Sequence, residues 1–212
     1  MQNIPHIDTQ GIALDIDETL SWTIGYRVEE MQKKFGNPEH LSIKEMAQKY
    51  RYTQNVPYRQ TEEALKRVDE QIYSNETQTR IPPIQSAQEF VMKIHDIVPI
   101  TAYITIRPIE VLEGTQKWLS LHGFPEAPII MRPKDVKKED GGLWKATILH
   151  QSYPQILGII DDNDSILSHL DRDYQGTVFL YDHDVFEKES LCTNVVCCKS
   201  WDLVYKEIKE RF

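Results

Sequence analysis

The stretch "ALDIDETL", residues 13 to 20, ends an apolar run with Asp15, Asp17 and Glu18. Two other apolar runs also end in groups able to do chemistry: "YITIRP" delivers Thr105 and Arg107, and "GIIDDN" delivers Asp161 and Asp162. Side chains alternate along a strand, so Asp15 and Asp17 share a side if the extended geometry persists that far. Asp161 or Asp162 then faces them from a neighbouring strand. Carboxylates gathered this way repel one another unless a cation compensates them. Hard oxygen donors with room for water suit Mg²⁺, whereas Zn²⁺ would call for the His or Cys ligands that are missing here. Taken singly, each group has an ordinary explanation. The DxD is a solvated strand end, "IIDDND" a helix cap, Thr105 a strand former and Lys145 a solvated helix residue. Their occurrence together points to a site. Glu18 is expected to face solvent or to cap the turn.

Positioning these groups requires strands that end at one rim. Five runs read as buried strands: "GIALDID" (11–17), "PITAYITI" (99–106), "APIIM" (127–131), "ILGIID" (156–161) and "TVFLYD" (177–182). Helical patterns alternate with several of them. "RPIEVLEGTQKWLSLHG" places Pro108 in a first turn, repeats Val111, Leu112, Thr115, Trp118 and Leu119 at helical spacing, and stops at Gly123. "LWKATILHQSY" precedes the fourth strand, and "SWDLVYKEIKERF" follows a Ser200 cap. This alternation predicts an α/β fold: a Rossmann-like three-layer α/β/α core around a parallel sheet of about five strands. In such sheets, ligands gather at the carboxyl ends of the strands.

Residues 26–90 break the alternation. They carry only helical signals: "GYRVEEMQKKFG", "LSIKEMAQKY" with Ser42 and Glu45 spaced as a capping box, and "TEEALKRVDEQIYSN" opened by Thr61. An all-helical cap inserted between the first and second strands is expected, joined to a core formed by 1–25 and 91–212. "ETQTRIPPIQSAQEF" reads as the return linker, broken at Pro82 and Pro83.

A net charge of −9 argues against holding nucleic acid or an anionic membrane by phosphate neutralisation, although a nucleotide remains open as a ligand. The first twenty residues lack a basic region followed by an uninterrupted apolar run, so a cytoplasmic protein is expected. Cys192, Cys197 and Cys198 form no CxxC, and the seven histidines show no HExxH spacing. The two commonest nucleotide loops, GxxxxGK[ST] and GxGxxG, do not occur.

The order "LDIDETL", "YITIRP", "GGLWKATIL", "GIIDDN" resembles the four motifs of the haloacid dehalogenase superfamily of phosphohydrolases. The resemblance implies an enzyme, a phosphoric monoester hydrolase, with Asp15 as the nucleophile that forms an aspartyl-phosphate and Asp17 as general acid and then base. It implies Mg²⁺ held by Asp15, the main-chain carbonyl of Asp17 and an acid of the fourth motif, Asp162 in preference to Asp161. Thr105 and Lys145 would bind phosphoryl oxygens, with Lys134 in "MRPKD" as the rival lysine. Asp17 and Thr19 match the phosphatase branch, since dehalogenases of the superfamily lack the second acid. "TIRP" resembles a TxRP variant in which Arg107 either contacts phosphate or pairs with nearby acids.

The substrate is expected to be a small phosphomonoester. In "KYRYTQNVPYRQ", Lys49, Arg51 and Arg59 interleave with Tyr50, Tyr52 and Tyr58. This stretch is either a connector anchored by tyrosines or a surface that stacks a base. The second case would suit a 5'-nucleotidase or a polynucleotide-phosphatase-like enzyme. A reading of another class is a phosphate-binding module that keeps the fold without turnover.

Overall fold

The computed structural model describes residues 4–50, 55–185 and 194–212. Six strands form one parallel sheet: β1 (Gly11–Leu14), β2 (Ile100–Pro108), β3 (Ile129–Arg132), β4 (Ile156–Asp161), β5 (Thr177–Tyr181) and β6 (Val195–Cys198). Their order is β3-β2-β1-β4-β5-β6, so the chain winds outward in one direction from β1 and then in the other. The reversal lies between β1 and β4, where Leu14 pairs with Ile160, and opens a crevice at their carboxyl ends. Five of the strands match the predicted runs. The sixth, "VVCC", is too short for its pattern to stand out, and its register beside β5 from Val178↔Val195 to Tyr181↔Cys198 is a tertiary product.

Alternation along the strands divides the core. Ile12, Leu14 and Tyr103 face one side with α5 (Ala87–His95), α6 (Leu112–Leu121) and α8 (Trp201–Arg211). Ala13, Ala102, Ile104 and Ile159 face the other with α7 (Gly141–Ser152). Among the described residues, no helix is long and apolar enough to cross a membrane.

Between β1 and β2 lie α1 (Thr23–Phe35), α2 (Ile43–Tyr50), α3 (Glu62–Ile72) and α4 (Asn75–Arg80), followed by α5. The helices of this insertion have small apolar centres of their own, one around Val28, Met46 and Val56 and another around Met31, Ala64 and Val68. The capping box forms: Ser42 N–H donates to Glu45 Oε2 at 2.8 Å and Glu45 N–H to Ser42 Oγ at 3.2 Å. Thr61 Oγ1 accepts from Ala64 N–H.

The stretch 76–90 is not a plain linker. It contains most of α4 and the start of α5, and α5 packs in the main core. α4 escapes sequence detection because its six polar residues show no apolar face. It is instead held by α6: Gly114 N–H donates to Asn75 Oδ1 at 2.6 Å, and Trp118 Nε1 donates to Ile81 O at 2.6 Å. Pro108 closes β2 and precedes a single 3₁₀ turn, so α6 begins only at Leu112, which is exposed. Ser200 occupies the cap position of α8, but its side chain makes no cap bond.

Candidate active site

Asp15 follows β1 directly, and its N–H continues the β1–β4 ladder by donating to Ile160 O at 2.9 Å. Asp161 is the last residue of β4. Lys145, in the second turn of α7, reaches both acids, with Nζ 2.7 Å from Asp15 Oδ1 and 2.6 Å from Asp161 Oδ2. All three residues are buried, at 4%, 5% and 0% exposure for Asp15, Lys145 and Asp161. Burial pushes the Asp15 carboxyl up to about 7; Lys145 opposes that rise, while Asp161 and Asp17 add to it. Burial disfavours the Lys145 ammonium, but the two carboxylates hold its pKa above the ordinary value. Asp162 is raised well above the carboxylate range by burial and by Asp161 and Asp15.

The head of α7 approaches this centre closely because residue 142 lacks a side chain. A Cβ on Gly142 would stand 2.9 Å from Ser165 O and 2.7 Å from Ser165 Oγ. Gly142→Ala must therefore shift either α7, which carries Lys145, or the turn that carries Ser165. It is expected to destabilise the protein by about 1–3 kcal/mol, measured by denaturant titration. A stability equal to that of wild type would show that the contact yields freely.

Asp15, Asp161 and Asp162 can each offer one oxygen within 4.8 Å of the others, and these are hard donors that suit a divalent cation such as Mg²⁺. Both oxygens of Asp161 are engaged, Oδ2 by Lys145 and Oδ1 by Asn163 N–H at 2.9 Å. Among the described residues the Asp162 carboxylate receives the Thr19 hydroxyl alone, at 3.3 Å, and its own N–H donates back to Thr19 Oγ1. The ring of His183 contacts Asp162 O at 2.9 Å. This geometry favours Asp162 over Asp161 as the freer ligand.

Alternation persists past Leu14, where β1 ends: Ile16 packs with Ile12 and Leu14, and Asp15 and Asp17 line one cavity. Their bonding partners nevertheless differ. The Asp17 carboxylate turns to Arg107, with Nη2 at 2.7 Å and Nε at 3.1 and 3.2 Å. Thr23 and Ser21 also donate to it. Burial alone would raise its pKa, but Arg107 holds the carboxyl far below the usual range. Arg107 is itself buried and further bonded to Ser21 Oγ at 3.0 Å, so of its two expected roles the structure displays the pairing with an acid.

Glu18 adopts left-handed backbone, φ 63°, and its Oε1 accepts Ile24 N–H at 2.6 Å in the first turn of α1. It is therefore a capping residue, with its carboxyl pushed up to about 7 chiefly by burial.

A cavity of about 110 Å³ opens onto Asp15, Asp17, Glu18, Lys145 and Asp162. α1 closes it through Thr23, Ile24 and Arg27, and α3 through Ile72. Thr105 is not in its lining; it is fully buried behind the rim, with Oγ1 accepting Arg107 N–H at 3.3 Å. Lys134 is also outside the lining, 74% exposed and 3.4 Å from Glu110. The aromatic-basic stretch stands elsewhere. Lys49 and Tyr50 bond Glu39, and Arg59 is buried within the insertion beside Tyr58. None of these four lines the cavity, and Arg51 and Tyr52 lie outside the described residues, as does Cys192. Cys198 is a buried thiol.

Three cations that the sequence reading did not single out do line the cavity: Arg27, Arg132 and Lys138. Only the helical register of Arg27, four residues after Thr23, hints at its direction.

No family model matches the chain, and no curated protein matches it. Solved structures do. A dehalogenase with an intermediate complex is 14% identical, covering 96% of this chain and 98% of its own, at a TM-score of 0.57. A HAD family hydrolase from Deinococcus radiodurans R1 with bound phosphate and sodium is 14% identical, covering 97% of each chain, at 0.52. A HAD-superfamily hydrolase from Ehrlichia chaffeensis is 16% identical, covering 95% and 98%, at 0.50. At such identities the likeness is one of fold, and the chain has the haloacid dehalogenase-type hydrolase fold.

Proposed function

We propose that this chain is a Mg²⁺-dependent phosphatase of the haloacid dehalogenase superfamily, acting on a small phosphomonoester through an aspartyl-phosphate. The observation that carries this reading is the buried Asp15 carboxylate at the end of β1, 2.7 Å from Lys145, with Asp161 and Asp162 beside it. A carboxylate oxygen of Asp15 bonds to phosphorus as the ester oxygen leaves with its electron pair. Water then attacks the same phosphorus, which frees phosphate and restores Asp15. Lys145 offsets phosphoryl charge that Asp15 cannot approach unaided. Asp15, Asp162 and the Asp17 carbonyl would hold Mg²⁺, which when bound supplies positive charge to the phosphoryl oxygens.

Asp17 serves the proton transfers. Arg107 keeps it ionised, the form that takes a proton from the attacking water; donating one to the leaving oxygen requires that contact to loosen. The presence of this second acid supports phosphoryl chemistry over dehalogenation. The separation of Lys49, Tyr50, Tyr58 and Arg59 from the cavity lining supports a small ester over a nucleotide stacked on that stretch.

The test is phosphate release from p-nitrophenyl phosphate, followed by a screen of sugar phosphates, amino-acid phosphates and nucleotides. Turnover is expected with Mg²⁺ and is expected to vanish in EDTA. Silence with Mg²⁺ on every ester would remove the phosphatase reading, and full activity in EDTA would remove the metal.

A further inference from the structure

We propose that Arg27 binds a second anionic group of the substrate, so that the preferred ester is a small phosphorylated carboxylic acid; this rests on the phosphatase reading for the first anion. Arg27 lines the same cavity as Asp15 and Asp162. Its Nε is a buried donor with no partner, and among the described residues no hydrogen bond or ion pair engages its guanidinium. Asp17 and Glu18 favour its charge from nearby, but their hydrogen bonds go elsewhere, Asp17 to Arg107 and Glu18 to Ile24 N–H. Arginine stays charged in proteins, so a guanidinium whose Nε is buried and unbonded, on a residue that lines a cavity, is costly until an acceptor arrives. Burial is also the main influence disfavouring its charge.

The layout separates two ends of one ligand. Asp15, Asp161 and Asp162 stand at the ends of β1 and β4, whereas Arg132 ends β3 on the far side of β2, and Lys138 follows it. Arg132 donates to the carbonyls of Ile106 and Val136, at 3.0 and 2.5 Å, and so is held in place by neutral acceptors. Arg27, from α1, lines the cavity with Arg132 and Lys138, and both it and Arg132 disfavour the charge of Lys138. A phosphoryl group at Asp15 thus leaves the remainder of the molecule against guanidinium groups. Fork-shaped recognition of a planar carboxylate is what arginine does well. Arg27 and Asp15 line the same cavity of about 110 Å³, so a short bridge suffices to join the two anions.

The probes are 3-phosphonopropionate and propylphosphonate, which match in length and differ in the carboxylate, titrated calorimetrically with Mg²⁺ present. Wild type is expected to bind the carboxylated probe about tenfold more tightly or better, as for a charge-assisted pair. Arg27→Gln is expected to bring the two affinities together, and Arg27→Lys to keep part of the gap. Equal affinities in wild type, or an unchanged ratio in Arg27→Gln, would overturn the proposal. A protein that hydrolyses no ester but keeps the Arg27-dependent ratio would lose the phosphatase reading and retain this anion site. One that hydrolyses esters without the ratio would do the opposite.

Discussion

Asp15→Asn is expected to lower phosphate release from p-nitrophenyl phosphate by about a thousandfold or more, the scale of losing a covalent nucleophile. The amide can still accept from Lys145 but cannot form the acyl-phosphate. Without metal, the same change is expected to raise the melting temperature. Asp15, Asp161 and Asp162 crowd within 4.8 Å around one ammonium, and the substitution removes one of three like charges. The pH dependence follows from the raised carboxyl. Between its ordinary 3.8 and about 7, Asp15 holds a proton in the native state that the unfolded chain has released. The native state then binds more protons, so the stability of the metal-free protein falls as pH rises through that window. Calorimetry in EDTA at pH 5 and pH 7.5 measures this, with Asp15→Asn expected to flatten the decline. Wild-type turnover in the variant would end the nucleophile assignment. A lower melting point in EDTA would mean that Asp15 is worth more as the partner of Lys145 than it costs as a charge.

Lys145→Met is expected to be the most damaging single change to the fold around the site. It strands two buried carboxylates, and losing one partner of a buried pair costs about 3–5 kcal/mol. For a chain of this size that is about 10 °C or more in melting temperature. Mg²⁺ should restore part of the loss by supplying positive charge to the same acids, whereas catalysis should remain depressed by about a hundredfold or more, since the phosphoryl group loses its buried cation. Lys134→Met is the comparison, because Lys134 is exposed and only touches Glu110; both its melting point and its turnover should match wild type. If Lys134→Met loses activity and Lys145→Met does not, the lysine assignment is reversed.

Much of this was legible in the sequence because it is written in local patterns. Apolar β-branched runs that stop at acids define β1 and β4. The spacing of Ser42 and Glu45 defines the start of α2, and the order of "DxDET", "TIRP", "WK" and "IIDDN" defines which residues meet. What local pattern cannot express is a choice between partners. Arg107 could have met a phosphate or an acid, and it meets Asp17, ninety positions away. Thr105 has the right type and lies behind the rim, because the geometry at the end of β2 decides where its hydroxyl points. α4 has no apolar stripe and is held through Asn75, which bonds Gly114 in α6 and Glu110 in the turn before it. The tyrosines at 50 and 58 were ambiguous for the same reason, since an aromatic beside a cation suits a ligand or a neighbour equally well.

The sequence by itself determined the parallel α/β architecture and the candidate carboxylates, since both depend on residue types at fixed short spacings. The tertiary structure decided that Lys145 bridges Asp15 and Asp161, that Glu18 accepts from the first turn of α1, and that Arg27 lines the cavity with no hydrogen bond or ion pair among the described residues. Those outcomes depend on burial and on contacts between residues far apart in the chain, 130 positions for Lys145 and Asp15. In a low-dielectric interior, which charge finds which counter-charge is set by the packing of whole elements.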